Sequence, residues 1–128
     1  MIRVLIADDQ PRARRSLQAL LTAIRWDYTS SAHHDRLMEI VGEATDGQQV
    51  IDLVQSLQPE VIVMDLHLPK LDGLTVINVL KHRWPHVRIV VLTMYATDRV
   101  AALEAGADAF LLKGCPTSEL LAAVRLSL

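Results

Sequence analysis

The sequence predicts an α/β domain, a parallel sheet with helices on both faces. Two observations carry this. Short apolar runs rich in β-branched residues alternate five times with stretches of helical periodicity, the pattern of parallel strands joined by right-handed crossover helices. The central run, Val61-Ile-Val-Met-Asp65-Leu-His-Leu-Pro69, has no polar alternation before it ends abruptly in a carboxylate. That is the signature of a strand buried on both faces. Open α/β sheets place their chemistry at the carboxyl edge of such strands, so Asp65 is the residue around which the rest is read.

Ile2 to Ala7 reads as the first strand, ending in Asp8-Asp9-Gln10. Pro11 then opens a helix, its fixed φ suited to the first turn, with Leu17, Leu20, Leu21 and Ile24 as the buried face. Trp26 to Arg36 is a polar loop, longer than connections in compact α/β domains usually are. Met38 to Ala44 is the second strand, and Thr45-Asp46-Gly47 a turn that can cap the next helix. Val50, Ile51, Val54 and Leu57 make that helix amphipathic, and Pro59 separates it from the central strand. Gly73 to Trp84 is the third helix, with Leu74, Ile77, Leu80 and Lys81 in register and Pro85 as its stop. Val87 to Leu92 is the fourth strand, ending at Thr93. Asp98 to Ala105 is a short helix with Gly106 as a left-handed cap. Ala109 to Leu112 is the fifth strand, ending at Lys113; Thr117 to Leu126 is the last helix, capped by Thr117 or Ser118, with Leu120, Leu121 and Val124 inward.

At 128 residues, 51% of them apolar, the chain reads as one domain spanning 1–128. A net charge of -2 without a basic block argues against nucleic-acid binding by charge alone. The single cysteine, Cys115, excludes an internal disulfide and fits a reducing cytoplasm. The apolar start is cut off at Asp8-Asp9, too short for a signal peptide. No stretch approaches membrane-spanning length.

Because the strands are parallel, Asp8, Asp9, Asp65, Thr93 and Lys113 share one sheet edge. Each has a plain structural reading: Asp8 or Asp9 as a helix cap, Asp65 as a turn cap, Thr93 as a β-branched strand residue, Lys113 as a solvated lysine. Their joint placement favours chemistry. Crowded carboxylates repel unless neutralised. Mg²⁺, which takes one or two carboxylates with phosphate oxygens and water, and a lysine would do so. Phosphoryl transfer needs such positioning and neutralisation, and Asp65 is read as the nucleophile.

These residues resemble the receiver domain of two-component response regulators over essentially the whole chain. The matching pieces are Val4-Leu-Ile-Ala-Asp8-Asp9, the Val61–Pro69 run, Leu71-Asp72-Gly73, Val90-Val-Leu-Thr93 and Ala105-Gly-Ala-Asp-Ala-Phe110-Leu-Leu-Lys113. Val41-Gly-Glu-Ala-Thr-Asp-Gly47 and Leu92-Thr-Met-Tyr95 resemble the subfamily with a C-terminal LuxR-type helix-turn-helix output domain. The resemblance implies a flavodoxin-like sheet of order 2-1-3-4-5. It makes Asp65 the acceptor of a phosphoryl group from a histidine kinase. Asp9, Asp65 and the His67 backbone carbonyl would ligate Mg²⁺, with Asp8 acting through water. Lys113 would pair with the phosphoryl oxygens, and Thr93 and Phe110 would be the switch pair. The fourth helix, fifth strand and fifth helix would form the output face, often used for homodimerisation. DNA would be reached only through an output domain outside this sequence, for which a linker would begin where the chain stops. The domain would catalyse only its own phosphorylation and dephosphorylation.

Three features depart from that pattern. Gly114-Cys115-Pro116 follows Lys113 where many receivers have Lys-Pro directly, so the usual cis peptide is not carried over. Phe110 stands where tyrosine is frequent, and the Trp26–Arg36 loop is long. Its His33-His34-Asp35 lacks the spacing of a metal motif and reads as solvated or as a partner contact. Nothing beside Cys115 suggests an activated thiolate, and Trp84 reads as an anchor of the third helix. His67 and Tyr95, each two positions beyond a site residue, are expected at the site mouth, where their bulk would slow hydrolysis of the acyl phosphate.

Other classes fit less well. A haloacid-dehalogenase-type phosphatase needs an Asp where His67 stands. A nucleotide binder would want a Gly/Ser/Thr loop in place of Asp8-Asp9-Gln10. A pseudo-receiver, binding partners without phosphorylation, is the alternative against which the intact residue set argues.

Overall fold

The computed structural model describes residues 1–23 and 37–125. Its strands are β1 (Ile2–Ala7), β2 (Met38–Ala44), β3 (Val61–Met64), β4 (Arg88–Thr93) and β5 (Ala109–Leu112). All pairings are parallel, in the order β2-β1-β3-β4-β5. The helices are α1 (Pro11–Ala23), α2 (Gly47–Leu57), α3 (Gly73–Arg83), α4 (Arg99–Ala105) and α5 (Thr117–Arg125), with a 3₁₀ turn at Ala96–Asp98 before α4. Fold class and strand order are those expected.

Alternation along each strand feeds two cores. Leu5, Ile62, Met64, Ile89 and Val91 face α2, α3 and α4 together with Val50, Val54, Ile77, Leu80, Ala102 and Phe110. Val4, Ile6, Val63, Val90 and Leu92 face α1 and α5, where Leu17, Leu21, Leu120 and Val124 meet them. Burial on both faces is why β3 reads as an unbroken apolar run.

Several details differ from expectation. Leu20 is 39% exposed, because α1 turns only Leu17 and Leu21 fully inward. α3 buries Val76 beside Ile77 and Leu80, while Leu74 is half-buried. It ends at Arg83, with Trp84 donating its N–H to the Leu80 carbonyl, and Trp84 packs on the core as an anchor. Thr117 is itself the first residue of α5, so neither Thr117 nor Ser118 occupies the cap position; the Glu119 N–H donates to the Pro116 carbonyl at 2.9 Å. Gly106 caps α4 at φ 118, as expected. No cis peptide occurs among the described residues, and Gly114 turns the chain after Lys113 at φ 92. Ile24, the Trp26–Arg36 loop with His33-His34-Asp35, and Leu126 lie outside the described residues.

Candidate functional site at the carboxyl edge of the sheet

The strand ladders continue one residue past their formal ends, and this sets the site. The Asp8 N–H donates to the Ala44 carbonyl at 3.1 Å, Asp65 to Ala7 at 3.0 Å, and Lys113 to Thr93 at 2.8 Å. Ala7 pairs with Met64, so Asp8 and Asp65 leave adjacent strands side by side. Thr93 pairs with Leu112, which puts Lys113 one step beyond it.

The Lys113 ammonium bridges the two carboxylates. Its Nζ lies 2.7 Å from Asp8 Oδ2 and 2.8 Å from Asp65 Oδ2. Asp8 is 1% exposed and Asp65 8%; buried carboxylates need such a partner. Burial by itself would lower the Lys113 pKa. Hydrogen bonds and charge from Asp65 and Asp8 outweigh it and hold the ammonium above its ordinary 10.5.

The plain readings hold only in part: Lys113 is paired rather than merely solvated, and Asp8 closes a turn ahead of α1 rather than capping it. Asp8 Oδ1 accepts the Gln10 N–H at 2.9 Å, and Asp65 Oδ1 accepts the His67 N–H at 3.1 Å. Each carboxylate thus spends one oxygen on its local turn and turns the other to Lys113. Asp9 is exposed and stands outside this triple contact.

The loop after β3 is held by close packing. Leu66 and Leu68 are buried, Gly47 donates its N–H to the Pro69 carbonyl at 3.1 Å, and Gly73 donates to Leu66 at 2.9 Å. A Cβ on Gly73 would stand 2.5 Å from Leu66 Cα, so only glycine lets α3 start this close to the end of β3.

Thr93 is fully buried. Its hydroxyl faces the segment after β4, donating to Asp98 Oδ2 at 3.5 Å and accepting the Tyr95 N–H at 3.4 Å. Phe110 is turned inward, with the Arg99 guanidinium 5.8 Å above its ring. His67 and Tyr95 meet edge to face at 5.0 Å, at the rim where they were expected. Sequence reasoning misses Asp98, whose carboxylate also takes His67 Nε2 at 2.8 Å; periodicity places it only at the start of a helix. Its place five residues after Thr93 carries no motif that would have marked it. Cys115 has its thiol pKa raised by burial and by the charge of Glu119, consistent with an unreactive side chain.

Among the described residues no three His, Cys, Asp or Glu side chains cluster tightly enough to hold a metal by themselves. A hard cation that keeps its waters and takes one or two carboxylates fits what is present, two buried carboxylates converging on one positive charge.

A flavodoxin-like sheet with Asp, Asp, Thr and Lys on its strand ends defines a receiver-type signalling domain. The chain belongs to the response regulator receiver domain family, whose model matches residues 4–125. It is similar to the nitrate/nitrite response regulator protein NarL of Escherichia coli, 35% identical over 94% of this chain and 52% of that protein. It is likewise similar to the transcriptional regulatory protein LiaR of Bacillus subtilis, 35% identical over 98% of this chain and 55% of that one. The chain thus spans about half the length of these relatives. Among solved structures, it matches the receiver domain of NarL from Mycobacterium tuberculosis with a TM-score of 0.82, 26% identity and coverage of 96% of this chain and 92% of that one. A LuxR-family response regulator from Aurantimonas matches at a TM-score of 0.75 and 25% identity, covering 93% of this chain and 79% of that one. The kinship is therefore with NarL-type, LuxR-family response regulators, and it favours a phosphoacceptor signalling role over a phosphorylation-independent binding module.

Proposed function

We propose that this receiver, spanning 1–128, takes its phosphoryl group on Asp65. The observation that carries this reading is the Lys113 ammonium held between Asp8 and Asp65 at 2.7 and 2.8 Å. An Asp65 oxygen attacks phosphorus as the P–N bond of a kinase phosphohistidine breaks; the leaving imidazole takes up a proton. Lys113 then exchanges its contact with Asp65 for one with the phosphoryl oxygens. Asp9, Asp65 and the His67 carbonyl would hold Mg²⁺ directly, with Asp8 through water, and the ion would supply charge neutralisation there. Thr93 turns towards the phosphoryl group and Phe110 follows, a two-state element biased by new charge. The domain thereby catalyses only its own phosphorylation and dephosphorylation.

A cytoplasmic histidine kinase partnership is the expected setting; no helix among the described residues is long and apolar enough to cross a membrane. The output face comprises α4, β5 and α5, where Val100, Leu103 and Leu112 are exposed and Arg99, Leu112 and Glu119 line a groove of about 450 Å³. It would serve homodimerisation and, through an output domain outside this sequence, DNA control. The test is the intact mass of the protein after incubation with acetyl phosphate and Mg²⁺, beside Asp65→Asn. One hydroxylamine-labile phosphoryl group in the parent alone is the expected result. Gain in neither, with both folded, would favour the pseudo-receiver.

A further inference from the structure

The Asp98 carboxylate belongs to neither the acceptor nor the neutralising set, yet one of its oxygens touches two residues of the site. Oδ2 lies 2.8 Å from His67 Nε2 and 3.5 Å from Thr93 Oγ1. A carboxylate only accepts hydrogen bonds, so His67 presents an Nε2–H to it. His67 follows β3; Asp98 closes the 3₁₀ turn that leads into α4. The contact therefore ties the loop after the nucleophile to the segment after β4. Tyr95 completes the cluster, its ring edge-on to His67 and its N–H on the Thr93 hydroxyl.

We infer that Asp98 is a positioning residue, a latch that holds the Thr93 hydroxyl and the His67 ring in the resting domain and restrains the 3₁₀ turn and α4. The part of this that concerns phosphorylation rests on the reading of Asp65 above. The physical reason is proton count. A threonine hydroxyl has one hydrogen to give. It goes to Asp98 or to a phosphoryl oxygen, and not to both. Phosphorylation must therefore break the Thr93–Asp98 contact, leaving Asp98 held by the His67 ring alone. At its N-terminal end the restrained segment has no side-chain cap on either the 3₁₀ turn or α4, and Ala102 is the buried residue of α4. A ligand shifts such an equilibrium only by what it binds differently in the two states, and this hydroxyl is one such difference.

The test uses Asp98→Ala, Asp98→Asn, His67→Phe and the double variant Asp98→Ala/His67→Phe. Amide exchange on the unphosphorylated proteins is expected to quicken about tenfold from Tyr95 to Ala102 in Asp98→Ala, the scale of losing hydrogen bonds to a charged group, with α2 and α3 unchanged. Phosphorylation by acetyl phosphate with Mg²⁺ is expected to speed up about threefold, which a merely structural loss would not produce. Asp98→Asn, which keeps an acceptor oxygen, should move both readouts less. The double variant should match Asp98→Ala, because both changes open one latch. The rate gain should persist in about 0.5 M salt, which screens exposed charges. Unchanged exchange in Asp98→Ala overturns the latch whatever the rate does. A rate gain that salt abolishes, or that multiplies in the double variant, also overturns it, since simple charge removal would then suffice. A parent that takes no phosphoryl group fails the reading of Asp65, while the exchange arm still decides the latch.

Discussion

The two halves of the sheet, on one face, are held in different ways. On the side of β1 and β3, α2 and α3 begin at side-chain caps. Asp46 accepts the Gln49 N–H and Asp72 the Thr75 N–H, and each helix buries four residues. The Gly73 contact locks the loop between them. On the side of β4 and β5, the 3₁₀ turn and α4 lack side-chain caps, and Met94, Tyr95 and Val100 are more than half exposed at 68%, 56% and 65%. Low local stability goes with few buried contacts. Asp65 stands on the well-held side and Thr93 at the border of the lightly held one. A phosphoryl group on Asp65 would thus be fixed in place by one half and read out by the other.

The sharpest way to break this comparison is to add volume to the well-held side. Gly73→Ala drives a Cβ against Leu66 backbone and should cost about 3 kcal/mol by urea unfolding. Leu103→Ala on α4, at a site 39% exposed, should cost below about 1 kcal/mol. Equal costs would erase the distinction.

Next in size is the bridge between the halves. Lys113→Met leaves Asp8 without its ammonium and should cost about 2 kcal/mol at neutral pH, less than a fully buried pair because Lys113 is partly exposed. Since the Lys113 pKa is raised above 10.5 in the folded state, its contribution is present below that value and lost as pH rises through the folded one. The parent should therefore lose more stability than the variant in alkaline solution, and parallel pH curves would contradict the bridge.

Asp72→Ala removes the α3 cap and should cost about 1 kcal/mol. The Thr75 backbone N–H, then its hydroxyl, lower the Asp72 pKa from 3.8. That contribution is present above 3.8 and lost as pH falls through the lower folded value, so the difference between parent and variant should close in acid. The smallest effect is expected at the rim, where Tyr95→Ala should speed loss of the phosphoryl group a few-fold; an unchanged decay would remove any shielding by His67 and Tyr95.

Much of this was legible in the sequence, for physical reasons. Buried parallel strands admit no polar alternation, so β1, β3 and β4 announced themselves and ended visibly at Asp8, Asp65 and Thr93. Helix faces were less legible. On α1 Leu20 is exposed against the periodicity, and on α3 Val76 is buried more fully than Leu74, because which residues of an apolar arc touch the sheet depends on how the helix is rotated. The α5 cap was misplaced because Pro116 supplies a backbone carbonyl where a Thr or Ser side chain was expected. Asp98 was invisible because its significance comes from His67, thirty-one positions away, and no local pattern records such a contact.

The measurement that tests the account most directly is amide exchange along the whole chain with and without acetyl phosphate and Mg²⁺. The expected result is a change concentrated from Thr93 to Leu112, with α2 and α3 unaltered. A change spread evenly over both halves, or confined to α2 and α3, would contradict the division of labour between the half that holds Asp65 and the half proposed to respond to it.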